Sequence, residues 1–173
     1  SATQDQSLND IVRVAAHALR SPMALVSLVD EDRQWFKACI GLPVSETHRD
    51  LAFCAHAILE PDEVLIIEDA AIDPRFQHSA LVLGPPYIRF YAGAPIVSPT
   101  GQNLGTVCVI DQQPRNLNAH QKRALEILSM QVTKLLELRL KTKVIEQRSA
   151  ELVKLKNHDI SKLIRGQDEE NLS

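Results

Sequence analysis

Hydrophobic residues near the start of the chain recur at three- and four-residue spacing: Leu8, Ile11, Val12, Ala15, Ala16 and Leu19. This is the signature of an amphipathic helix, expected over residues 5–20 and ended by Ser21-Pro22, because a residue before proline avoids helical backbone. The pattern then shortens. Ala24 to Val29 is a brief apolar run, Asp30 to Arg33 is polar, and Gln34 to Ile40 alternates, which predicts a hairpin closed by Gly41-Leu42-Pro43. Alanine-rich Asp50 to Leu59 reads as a short helix ended by Pro61-Asp62, and Val64 to Ile67 as a buried strand. Residues 69–86 form a loop-rich connection in which Asp73-Pro74 suggests an N-cap followed by a first helical proline. Phe90 to Val97 and Leu104 to Ile110 flank the turn Pro99 to Gln102 and predict a second hairpin.

Asn118 is placed to cap a final helix whose apolar positions Leu125, Leu128, Val132 and Leu135 continue through Leu138, Val144, Ile145, Leu152 and Leu155, with no proline or glycine before Gly166. Helical from residue 119 to about 157, it would extend about 55–60 Å at 1.5 Å per residue, about twice the diameter of a small domain's core. Its far half therefore projects. The order of elements predicts an antiparallel α+β layer in a globular domain over residues 1–137, a helical extension over 138–165 and a disordered tail over 166–173. Along the extension Leu138, Ile145 and Leu152 keep a seven-residue spacing amid charged residues, as in a helix paired with a second copy of the chain. Leu128, Val132 and Leu135 lead into that seam. A competing heptad through Leu125 and Val132 ends at Arg139.

Composition narrows the partners. With 173 residues, 45% of them hydrophobic, the chain builds one substantial core. Its 19 basic and 22 acidic residues form no basic stripe interleaved with aromatics, so nucleic acid is not expected as a partner. Cys39, Cys54 and Cys108 are far apart, in apolar settings, without a paired spacing that suggests disulfides or zinc. His48, His56 and His78 show no metal-ligand spacing. No metal or cofactor is expected. No apolar run approaches a bilayer span, and polar residues 1–9 are unlike a signal peptide, which leads to the expectation of a cytoplasmic protein without membrane contact by this segment.

Several ordered strings carry a resemblance. They are Phe53-Cys54-Ala55-His56-Ala57-Ile58, Asp69-Ala70 with Asp73-Pro74-Arg75-Phe76, Ile88 through Pro95, Gly105 through Asp111, and Pro114-Arg115, preceded by Asp32 through Lys37. Together they resemble the GAF family, in the subclass found before sensor histidine kinases and diguanylate cyclases of two-component and related systems. The resemblance implies a GAF-like, PAS-related fold: a central antiparallel sheet of about five or six strands, terminal helices on one face and a pocket on the other. It also implies a regulatory sensory domain that binds a small molecule, or relays a signal through a dimeric C-terminal helix to an output domain.

No catalytic residue is assigned. On a helix Cys54 and His56 point about 200° apart and do not form a nucleophile–base pair. Trp35, Cys54, Asp73, Arg75, Phe76, Arg89 and Tyr91 are the candidate ligand-binding residues, an apolar recess with polar anchors for an unidentified small molecule. Each also has a structural reading: Asp73 capping a turn, Arg75 and Arg89 pairing with nearby aspartates, Phe76 and Tyr91 filling the core. Two further functions stand beside the sensory one, a ligand-free dimerisation spacer and a thiol-dependent enzyme resembling the free methionine sulfoxide reductases of the same family. Covalent bilin attachment is not expected, because Cys54-Ala55-His56 lacks a directly adjacent histidine, and the Asn-Lys-x-x-x-Phe string of cyclic-nucleotide binders is missing.

Overall fold

The computed structural model describes residues 2–29, 34–42, 53, 57 and 63–171. Helix α1 (Ala2–Ala18) is followed by strands β1 (Met23–Val29), β2 (Gln34–Ile40) and β3 (Leu65–Ile67), the four-residue helix α2 (Ala80–Leu83), strands β4 (Phe90–Val97) and β5 (Asn103–Asp111), and helix α3 (Ala119–Asn171). Two compact units result, Ser1–Lys134 and Leu135–Ser173.

In the first unit five strands form one sheet in the order β2-β1-β5-β4-β3, every neighbouring pair antiparallel. The fold is thus the expected α+β layer. Strand alternation sorts its side chains onto two faces. On one, Ala24 and Val26 of β1 pair with Val109 and Val107 of β5, and α1 packs there against β1, β2 and β5. Leu8, Val12, Ala15 and Leu19, spaced four, three and four apart, are fully buried. The start of α3 adds Leu125 and Val132 to the core, and Thr133 Oγ1 donates to the Val97 carbonyl at 3.4 Å. The other face carries a separate apolar cluster in which Met23, Leu25, Ile67, Tyr91, Cys108 and Ile110 meet Phe53, Phe76 and α2.

Gly105 makes the centre of this sheet possible. Its φ is 154°, and a Cβ there would lie 1.9 Å from the Ser27 carbonyl oxygen and 2.8 Å from Leu28 Cα. Only a residue without a side chain lets β1 and β5 approach so closely.

The helix ends depart from expectation in informative ways. Proline is not what stops α1. Arg20 adopts φ 48°, the Ser21 amide reaches back to the Ala16 carbonyl at 2.9 Å and the Arg20 amide to His17 at 3.2 Å, a Schellman termination before Pro22 is reached. Asn118 caps α3 as anticipated: its Oδ1 accepts from the Gln121 amide at 2.8 Å, and Gln121 Oε1 accepts from the Asn118 amide at 3.2 Å, a reciprocal capping box. The helix runs to Asn171, whereas a disordered tail was expected from residue 166. A single glycine inside a helix costs only about 1 kcal/mol, and Gly166 does not interrupt it. The Asp73-Pro74 helix start is also corrected. Residues 74–78 form turns, closed by the Phe76 and Gln77 amides donating to the Asp73 carbonyl, and the helical segment begins later, where Ser79 Oγ accepts from the Leu81 amide. The expected helix over residues 50–59 lies outside the described residues except at Phe53 and Ala57, both helical and buried.

Candidate functional site

The sheet face opposite α1 is the expected location of a ligand recess, and among the described residues aromatic rings occupy it. Phe76 enters from the 74–78 turns, Tyr91 from β4 and Phe53 from the described helical position before Cys54. The Phe53 and Phe76 rings stack with centroids 4.4 Å apart and planes 12° apart, while the Tyr91 ring is tilted against Phe53 at 5.3 Å. All three are essentially inaccessible to solvent. Tyr91 lies back over its own strand: a Cβ on Gly93 would come within 2.4 Å of the tyrosine hydroxyl. The role of Phe53 was missed in the sequence, although it directly precedes Cys54 in the string that carried the family resemblance.

Of the polar candidates, Arg75 borders this stack, its guanidinium carbon 5.3 Å from the Phe76 ring centroid. Asp73 and Arg75 form a local pair, with Asp73 Oδ1 accepting from the Arg75 amide at 2.9 Å and from Nε at 3.1 Å, and Oδ2 from the second guanidinium nitrogen at 2.8 Å. The Arg75 side chain is 47% exposed. Arg89 donates to the carbonyls of Val82 at 3.0 Å and Ile88 at 2.9 Å, fastening the end of α2 to the entrance of β4. It bonds these carbonyls rather than the aspartates proposed from sequence. Trp35 belongs to β2, opposite Leu28, with its side chain outside the described residues, and Cys54 lies outside them altogether. Of the described cysteines, Cys39 and Cys108 both pair with Leu25 from opposite sides. Strand β1 therefore separates them by about 10 Å, two strand spacings.

Arg115, quoted in the sequence only as part of a string, ties several elements together. Its guanidinium donates to the carbonyls of Leu19 and, at 2.9 Å, Arg20 at the end of α1, pairs with Asp111 at 3.3 Å, and lies 5.1 Å from the Phe90 ring centroid. Its backbone amide donates to the Glu68 carbonyl at 3.1 Å. The cation thus sits where the exposed carbonyls of α1 concentrate negative charge. Nothing in local spacing reveals a contact with residues nearly a hundred positions earlier. Beside Arg115 is an open recess of about 570 Å³ lined by residues including Ile66, Asp69, Asp73, Pro114 and Asn116. Its polar walls are engaged within the protein: Asp69 Oδ1 accepts from the Ala71 amide at 3.0 Å, and the Asn116 amide, turned with its nitrogen toward Glu68, donates to that carboxylate at 3.0 and 3.1 Å.

The helical candidates divide between the units. Val132 is fully buried within the first unit and is taken up by the chain's own core, so it has no surface to offer a second copy. Leu128 and Leu135 are half-buried. In the second unit Leu138, Ile145 and Leu152 are 59%, 63% and 67% exposed. Among the described residues no helix is long and apolar enough to cross a membrane, and no cluster of potential metal ligands occurs.

The sheet order, the helices on one face and the aromatic cluster on the other define a small sensory-module fold. The GAF domain family profile matches residues 4–136, and the chain belongs to that family. A cyclic di-GMP phosphodiesterase of Pseudomonas aeruginosa is 45% identical over 121 residues, 70% of this chain but 20% of that protein; the chain thus spans about a fifth of this relative. Among solved structures, the GAF domain of a phosphoenolpyruvate-protein phosphotransferase from Coxiella burnetii superposes with a TM-score of 0.68 at 14% identity, covering 82% of this chain and 86% of that one. A domain of a putative two-component sensor histidine kinase from Sinorhizobium meliloti gives 0.64 at 16% identity, covering 83% and 97%. The fold is shared with both, and the setting is that of GAF domains in signalling proteins.

Proposed function

We propose that this GAF domain is a regulatory relay: two copies pair through the Leu135–Ser173 unit of α3, and that pairing carries the domain's state to an output domain of the parent protein, such as a cyclic di-GMP enzyme or a kinase. The observation that carries this reading is the row of exposed leucine and isoleucine side chains at Leu138, Ile145 and Leu152, spaced for one helix face. Apolar rows of this kind are covered by a partner helix in stable proteins.

A ligand on the aromatic face would compete with contacts the chain already makes. Phe76 stacks on Phe53 and Tyr91 tilts against it, Asp73 pairs with Arg75 and Arg89 bonds backbone carbonyls. A ligand would have to displace these contacts, and it drives a change only through its preference for one state over the other. The relay is tested by native mass spectrometry of the chain purified from its own host. The expected species is a two-chain particle without added small-molecule mass. A single-chain particle carrying a retained metabolite refutes the reading.

A further inference from the structure

The apolar positions of the second unit do not follow one heptad to the end. From Leu138 the seam steps through Thr142, Ile145, Ser149, Leu152 and Lys156, the alternating four- and three-residue spacing of a left-handed coiled coil. Continued without a break, the same spacing puts Asp159 and Gly166 in the seam, with Leu163 between them. In a parallel pair the first would bury two facing carboxylates and the second offers no side chain to bury. Ile160, one position from Asp159, is exposed, as are Leu163 and Ile164. A second four-residue step, from Lys156 to Ile160, puts Ile160 in place of Asp159 and keeps Leu163, three residues on, in the seam. Because each residue turns the helix by about 100°, that step also swings Asp159 to the flank.

We propose that the surface formed by Leu138, Ile145, Leu152, Ile160 and Leu163 takes a second copy of this chain in parallel, and that its heptad register is broken by a four-residue insertion between Leu152 and Ile160. The inference rests on the pairing proposed above and specifies its geometry. Charge complementarity supports the parallel arrangement: with heptads aligned, Lys141 of one copy comes against Glu146 of the other, five residues on. The break raises the mean spacing from 3.5 to about 3.6 residues per layer, close to that of a straight helix, so the left-handed supercoil of the first half relaxes in the second. The layers at Thr142, Ser149 and Lys156 are polar, and Leu152 and Val153 are both exposed on adjoining stripes.

Cysteine cross-linking in the full 173-residue chain tests this, with Ile145→Cys, Leu152→Cys, Asp159→Cys and Ile160→Cys oxidised separately and the unsubstituted chain setting the background from its own cysteines. Disulfides require closely approaching Cβ atoms, so Ile145→Cys, Leu152→Cys and Ile160→Cys are expected to give covalent dimer about tenfold faster than Asp159→Cys. Equal or faster cross-linking at position 159, with positions 145 and 152 positive, overturns the register break and leaves the pairing intact. Failure at 145 and 152 overturns the parallel pairing itself, and the register with it. As a second readout, Ile160→Asp is expected to weaken association about tenfold and Asp159→Leu to leave it nearly unchanged; the reverse order contradicts the proposal.

Discussion

Replacing Phe76 by alanine asks whether the aromatic face is a packed core or a recess awaiting a ligand. The ring is 1% exposed, lies in the Met23–Ile110 cluster and stacks on Phe53 at 4.4 Å. Truncating a buried phenylalanine costs about 3–5 kcal/mol through lost transfer energy and the cavity left behind, a range that includes the roughly 0.5–1.5 kcal/mol of an aromatic pair. A loss of about 4 kcal/mol is therefore expected, a large share of the roughly 5–15 kcal/mol that holds a typical domain together. For a unit of this size it lowers Tm by about 12–16 °C. Urea denaturation followed by circular dichroism gives the free energy directly, and benzene added to the variant, but not to the unsubstituted chain, restores part of it by entering the new cavity. A loss below about 1 kcal/mol would refute the reasoning, because a ring lining a wet recess already meets water on one side and leaves little behind when removed.

Arg115→Ala removes charge-assisted bonds to two helix-end carbonyls and a partly buried ion pair; chemical denaturation should register a loss of about 2–4 kcal/mol, with Arg115→Lys recovering only part because lysine lacks the planar fork. Gly105→Ala forces a methyl against the Ser27 carbonyl and is expected to cost about 3 kcal/mol or more, seen as loss of folded protein on expression or a collapse of Tm. Arg20→Gly relieves a left-handed φ of 48° and is expected to stabilise α1's end by up to about 1 kcal/mol in the same denaturation assay. Asp73→Ala breaks a pair whose arginine is exposed, and its effect should stay within about 1 kcal/mol, a contrast with Phe76 that sorts surface from core.

What the sequence made legible follows from where the physics is local. The three-and-four spacing of Leu8, Val12, Ala15 and Leu19 and the alternation of β4 and β5 encode burial on one face, so these elements were readable without a fold. The Asn118–Gln121 cap is equally local, a side chain and an amide three residues apart. Other features depend on residues brought together only by the fold. Arg115 reaches Leu19 and Arg20, and Phe76 finds Phe53 across more than twenty intervening residues. Asp73 carries a good helix-start signature, yet its carboxylate engages Arg75 and its carbonyl closes a turn, so a local rule yielded to a competing local bond. Val132 matched the dimer spacing, but the same periodicity marks both faces of a helix, and only packing shows that this position turns inward.

Sedimentation velocity of the 173-residue chain beside its Leu138→Glu, Ile145→Glu, Leu152→Glu triple variant tests the relay most directly. All three side chains are exposed in the single chain, so the GAF fold should keep its circular dichroism and Tm. The relay predicts a two-chain species for the unsubstituted protein and a single chain for the variant at the same micromolar concentration, because glutamates facing one another across the seam repel and bury no apolar surface. Identical sedimentation of the two, whether both monomeric or both dimeric, would contradict it.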